Sequence, residues 1–311
     1  MIFSSCDRSD PISTNIFLAE SGSILFTSDK DGSLQLYSMN KDGSNIQQLT
    51  NDPNFPIINA TWSPDGSKIA ILSRVGGVPL FGGAIYIVNS DGTNRYLLTN
   101  PSIRGTDSTY QMYLGAGGIC WSPDSKKIAF NRTSHAEPIP GSDIFIIGVD
   151  GSNEQRFTAT PNIYKYVTDW SRDGNYIAAH EEDWYHIDST THFHTVRKVL
   201  YNLQDVEIKT WQGGGNIIYS TIGDKIEYDS IGVIIVMDTN GSNIRSIRYN
   251  SDLYLAPISW SPDDTELLCK AATGDEPNKI FLLNVLTGNL TDITPFKNYN
   301  GWQSATSWRR R

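Results

Sequence analysis

Long helical patterns are missing from this chain of 311 residues. No segment repeats apolar residues at helical spacing over several turns, which leaves short β-rich runs as the only regular signal. No apolar run approaches the ~20 residues needed to span a membrane as a helix. A basic surplus is also missing: 25 Lys and Arg against 34 Asp and Glu give a net charge of −9, so a nucleic-acid backbone is not an expected partner. Cysteine is scarce. Cys120 and Cys269 fall in strand-like runs and are expected as buried, reduced thiols. The G-x-S-x-G elbow of serine hydrolases does not occur, and the Asp residues lack the spacing of an EF-hand. No catalytic residue, metal site or cofactor follows from the motifs.

What the chain does have is repetition. Trp62-Ser-Pro-Asp-Gly66 recurs as Trp121-Ser-Pro-Asp124, Trp170-Ser-Arg-Asp173 and Trp260-Ser-Pro-Asp263, with a degenerate copy expected at Trp211-Gln-Gly-Gly214 and a last Trp at Trp308. The Trp residues lie 59, 49, 41, 49 and 48 residues apart, near the roughly 40–50 residues of a propeller blade. Each interval holds three further strand-like runs. The reading is an all-β, six-bladed β-propeller of four-stranded antiparallel blades. The first segment, from Ser23 to Thr50, has three strands and no Trp strand, whereas the chain ends on a Trp strand, Ser304–Trp308. The C-terminal strand is therefore expected to complete the first blade and close the ring, which protects sheet edges.

Residues 1–20 carry no period and read as a tether or irregular cap; 21–311 form one propeller domain. The second blade covers 57–99, the third 119–158 after a long insertion, and the fourth starts near Tyr166 and turns irregular after His180. The fifth begins at about Val206 with Trp211-Gln-Gly-Gly as its first turn, and the sixth runs from Pro257 to Thr294. In Ser-Pro-Asp-Gly, Pro presets φ, Gly accepts positive φ and Asp caps the turn locally. One Trp at a fixed place in each blade is expected as packing between blades.

Polarity then selects a face. Turns between strands one and two, and three and four, are short and uniform. The loops between strands two and three, and the links between blades, are long and varied and lie at the opposite end. On or beside that end fall Arg74, Arg132, His180, Glu181, Tyr228, Tyr254 and Trp302, the candidate partner-binding residues. Arg and aromatic side chains are the usual anchors of binding surfaces. Four of the five His lie in the irregular fourth blade, and His192-Phe-His194 places two on one strand face. An isolated His-x-His has no specificity for a metal.

The motif Trp-Ser-Pro-Asp-Gly, followed by Ile-Tyr-Ile-Val-Asn-Ser-Asp-Gly-Thr-Asn and Leu-Leu-Thr, resembles the TolB-type propeller repeat over about residues 20–311. The resemblance implies a non-enzymatic, monomeric scaffold that binds a protein or peptide in the periplasm or cell envelope. Similar repeats occur in peptidase propellers and oligogalacturonate lyases, so a carbohydrate-active enzyme or glycan-binding propeller is the alternative, with an oligosaccharide as its ligand. Ile2-Phe-Ser-Ser-Cys6 also resembles the end of a bacterial lipoprotein signal, which would make Cys6 a lipid anchor.

Overall fold

The computed structural model describes residues 23–74, 83–99, 110–111, 118–134, 141–159, 163–186, 192–204, 206–212, 215–230, 233–249, 253–273 and 276–310. Residues 1–20, with Cys6, lie outside them. Among the described residues there are 25 strands and no helix.

The strands fall into repeated antiparallel units. The first unit has β1 (Ile24–Ser28), β2 (Gln35–Met39) and β3 (Gln47–Gln48). The second has β4 (Ile57–Trp62), β5 (Lys68–Arg74), β6 (Gly83–Asn89) and β7 (Tyr96–Leu97). After β8 (Tyr110–Gln111) come β9 (Ile119–Trp121), β10 (Lys127–Ser134), β11 (Gly141–Gly148) and β12 (Gln155–Arg156). The fourth unit is β13 (Ile163–Trp170), β14 (Tyr176–His186), β15 (His192–Asn202) and β16 (Glu207–Gln212). The fifth is β17 (Ile217–Tyr219), β18 (Lys225–Ser230), β19 (Val233–Asp238) and β20 (Arg245–Arg248). The sixth is β21 (Tyr254–Trp260), β22 (Glu266–Thr273), β23 (Glu276–Asn284) and β24 (Leu290–Asp292), followed by β25 (Gln303–Trp308). Within each unit consecutive strands pair antiparallel. The third and fourth units are joined into one sheet by a single parallel pair, Ser142 with Tyr164. The C-terminal strand β25 pairs with β1, Trp308 opposite Ile24, and supplies the first unit with its missing strand.

The repeat's chemistry explains why these residues fold this way. In the second unit the Ser63 hydroxyl donates to Asp65 at 2.6 Å and accepts the Lys68 amide at 2.9 Å, while Gly66 N–H closes the turn onto Ser63 O. The same Ser–Asp circuit recurs at Ser122–Asp124, Ser171–Asp173 and Ser261–Asp263. The bonds from Ser122 and Ser261 are the leading cause that holds the Asp124 and Asp263 carboxyls below their ordinary range. The turn's fourth residue sits at positive φ, as Gly66 (69°) and Gly174 (78°) accept readily and Ser125 (61°) and Asp264 (55°) adopt in their place.

The Trp residues pack between units, as their fixed place predicts. Trp121 lies among Ala70, Leu72 and Ile87 of the preceding unit, and Trp260 among Ile218, Ile234 and Val236. Their indole N–H groups donate across the seam to Thr61 O (3.1 Å) and Ile218 O (3.3 Å). A second device was not read from the sequence. Thr50, Thr99, Thr158 and Thr294, just after each outer strand, accept the amide of the residue 14 positions earlier at 2.9–3.1 Å. Cys120 and Cys269 are buried free thiols, as expected.

Two expectations are corrected. Trp211 is not an inner-strand landmark: β16 pairs with β15, so Trp211 belongs to the outer strand of the fourth unit. The inner strand of the fifth is β17, where Tyr219 takes the Trp position and Ser220–Asp224 makes the turn, Ser220 N–H donating to Lys225 O at 3.0 Å. Residues 221–230, which the Trp211 landmark would make a loop between second and third strands, are consequently a turn plus β18. The irregular run after His180 is also ordinary β-structure of unusual length. β14 and β15, 11 residues each, stay in register out to His186 opposite His192. The pattern was hidden because charged and aromatic residues replaced the apolar alternation.

Candidate functional site

The innermost strands of all six units contribute to one central cavity of about 320 Å³. Asn59 and Thr61 come from β4, Cys120 from β9, Asp169 from β13, Ile218 from β17, Ser259 from β21 and Thr306 from β25. Inner strands enter from one end, where Trp302 precedes β25 and Tyr254 opens β21. That end also carries the connections between second and third strands. Trp302 lines the cavity and is 49% exposed; Tyr254 is 56% exposed.

One repeat position forms a collar toward this end of the second strands. Ten residues after the inner-strand aromatic stand Leu72, Asn131, His180, Asp229 and Lys270; Thr27 holds the equivalent place in the first unit. Five of these six are polar. The Asn131 amide donates to Lys165 O and accepts Val167 N–H at 3.0 Å, which fixes it to the next unit. His180 lies beside the Tyr166 ring, 5.4 Å between centroids, with Nε2 3.2 Å from a Glu182 oxygen. Asp229 accepts from Asn216 N–H at 3.0 Å and from the Tyr254 hydroxyl at 3.4 Å. Burial raises the Asp229 carboxyl above its ordinary range, opposed by the Lys198 ammonium. Lys270 lines the cavity, and burial alone pushes its ammonium below the usual lysine range.

The sequence-predicted residues are dispersed over this half of the molecule. Arg74 ends β5 in register with Gly83. Arg132 reaches outward to Glu154 at 2.7 Å, over the rings of Phe130 and Phe145. Glu181 is buried, held by Arg197 at 2.7 Å and by the Tyr201 hydroxyl. Tyr228 sits between Trp211 and the Lys198 ammonium, which lies 5.3 Å from its ring centre. The fold therefore brings Trp302 to the cavity, leaves Tyr254 exposed at the same end with its hydroxyl on Asp229, places His180 in the collar, and turns Arg132, Glu181 and Tyr228 into contacts within or between units. Sequence reasoning missed Asp229 and Lys270. The signal was present: both share His180's place in the repeat, but the mistaken Trp211 landmark put Asp229 out of step.

At the other end of the cavity Asp169 is saturated. It accepts from the Trp170 and Tyr219 amides at 2.8 and 3.0 Å and pairs with Arg172 at 2.8 Å, while Arg310 stands 3.7 Å away. Burial, reinforced by Arg172, pushes the Arg310 guanidinium down to about 10. Among the described residues no group of three or more His, Cys, Asp or Glu is placed to hold a metal ion.

Comparison with solved structures decides the architecture. TolB from Acinetobacter baumannii superposes with a TM-score of 0.66 at 17% identity, over 92% of this chain and 66% of that one. The fold is that of a TolB-like β-propeller. A chain of the nidogen/laminin complex also matches it, with a TM-score of 0.63 at 7% identity over 92% of this chain and 98% of that chain. In sequence, the TolB-like propeller is 32% identical over 134 aligned positions to a protein TolB homolog of Chlorobium chlorochromatii (strain CaD3), covering 34% of this chain and 30% of that protein. The chain thus spans under a third of the matched relative and about two thirds of the A. baumannii structure. No family model matches it.

Proposed function

We propose that this chain is a non-enzymatic propeller of six blades, closed by β25 on β1, which binds a protein or peptide partner across the end that carries Tyr254 and Trp302. The observation that carries the reading is Trp302, half-exposed and lining a cavity to which all six inner strands contribute, with Tyr254 exposed at the same end. Large aromatics held at the rim of a rigid scaffold anchor partners through burial on binding. Their backbones are fixed: Trp302 N–H donates to Asp29 at 2.7 Å, and Tyr254 pairs with Ala272 in the sheet. The likeness to TolB supports an extracytoplasmic location.

The test is affinity capture from an envelope extract with the wild-type chain beside a Tyr254→Ala/Trp302→Ala double variant. A protein retained by the wild type and lost by the variant supports the reading, because each rim anchor contributes on the order of 2 kcal/mol. A partner held equally by both moves the site off this rim. Cell fractionation that finds the chain in the cytoplasm would refute the location.

A further inference from the structure

The charges facing the cavity do not balance. Its lining holds three charged residues, Asp169, Lys270 and Arg310. Asp169 is already matched by Arg172 behind it, which leaves Arg310 beside a satisfied acid and Lys270 with nothing. Among the described residues no carboxylate or other acceptor reaches the Lys270 ammonium. A chain with a net charge of −9 has thus concentrated unneutralised positive charge at its centre.

Unused donors line the same cavity. The Trp62 indole N–H, in a side chain only 4% exposed, makes no hydrogen bond, although its counterparts Trp121 and Trp260 both donate across a seam. The buried Thr306 hydroxyl on β25 is likewise without a partner, and both residues line the cavity. Asn59 has its oxygen engaged by Ala60 N–H at 2.9 Å, which turns its amide NH₂ to other acceptors. Partly dehydrated donors and a cation without acceptors are costly for the empty fold, and an anion offsets that cost.

We propose that the cavity is a carboxylate-binding site with Lys270 as its charged anchor, the Arg310 end supplying further positive potential, and Trp302 covering the entrance. The inference rests on the reading of this rim as a binding face and adds the chemistry of what enters: an acidic group, either a free small acid or the acidic side chain of a peptide. Lys270 replaces the Leu72 of the equivalent repeat position, so the charge is not a requirement of the repeat.

Isothermal titration of the full chain with succinate, a blocked tetraglutamate peptide and its tetraglutamine counterpart tests this. Expected is binding of succinate or tetraglutamate, no binding of tetraglutamine, weakening as chloride rises about sixfold from roughly 50 to 300 mM, and a loss of roughly tenfold or more in Lys270→Met. Lys270→Arg should retain binding. Since Met keeps the straight aliphatic stem and removes an uncompensated charge, Lys270→Met should also melt no lower than wild type, which separates lost binding from lost folding. Equal binding of both peptides would overturn the carboxylate site while leaving the peptide-binding reading intact. Succinate binding without either peptide supports the site with a free acid as its source and counts against the peptide reading. Absence of binding by succinate and tetraglutamate at millimolar concentration, or undiminished binding by Lys270→Met, would overturn the inference.

Discussion

Glu227 stands where the repeat asks for an apolar residue. The equivalent positions in the other units carry Leu25, Ala70, Ala129, Ala178 and Leu268, all fully buried. Glu227 is fully buried as well, between Ile218 and Val236 in the sheet, and neither carboxyl oxygen has a hydrogen-bond partner. Desolvation, reinforced by Asp229 and opposed by Lys198, raises its carboxyl well above the ordinary value of 4.5. The side chain is therefore held as the neutral acid in the fold under conditions where the unfolded chain ionises it. Its contribution to stability is full below pH 4.5 and is lost progressively as pH rises toward the folded-state value.

Glu227→Gln removes that titration and little else, because the amide matches the neutral acid in size and also lacks a partner. Near pH 4.5 the two proteins should have equal stability. Above it the variant should gain on the wild type by about 1.4 kcal/mol per pH unit until the folded-state value is passed. Urea denaturation at pH 5, 6 and 7 measures the difference directly, and the pH dependence of Asp229 and Lys198, common to both proteins, largely cancels. Glu227→Leu, which restores the residue found at two equivalent positions, should be about 1–3 kcal/mol more stable than Glu227→Gln at every pH, because it also removes a buried polar group without a partner. A stability difference between wild type and Glu227→Gln that stays constant from pH 5 to 7 would refute the reasoning, since it would mean that the carboxylate is solvated or paired.

Other sites give smaller or opposite effects. Glu181→Gln withdraws the charge that holds Arg197 and should cost about 2–3 kcal/mol in urea unfolding, the low end for a buried pair because the arginine is partly exposed. Thr99→Val leaves the Ile85 amide without its 3.1 Å acceptor and should cost about 1 kcal/mol, whereas Thr99→Ser should cost less. Asp263→Asn should flatten the acid limb of stability: the Asp263 carboxyl lies below its unfolded value of 3.8, so its contribution is present above that pH and is lost as pH falls through the folded-state value.

The architecture could be read because each unit restates the same packing problem. A Trp at a seam, a Ser–Asp circuit at a turn and an alternating inner pair recur at fixed intervals, so several imperfect copies corrected one another. The single misplacement came where a copy broke the rule. Tyr219 took the Trp position while an outer-strand Trp211 stood eight residues short of it, and aromatic identity outweighed strand spacing. The long β14–β15 hairpin was obscured for a related reason: Glu181, paired inside the protein with Arg197, looks in sequence like a solvent-facing residue.

The site was harder to read because function resides in departures from the repeat, and a departure has no second copy to confirm it. Arg132 and Tyr228 have the side chains of a binding surface, yet the fold gives them partners in Glu154, Lys198 and Trp211. Lys270 looks like one more charged residue at a strand end, yet it faces the cavity without an acceptor among the described residues. What separates the two cases is whether the local structure satisfies the charge. That property depends on neighbours from other units, so it is absent from any single copy of the repeat. The collar position shows the consequence: Leu72, Asn131, His180, Asp229 and Lys270 share one backbone address, yet their five different side chains meet different neighbours. Of these five only Lys270 lines the cavity, so a ligand entering it meets a cation on one side, set by a residue in which the copies differ.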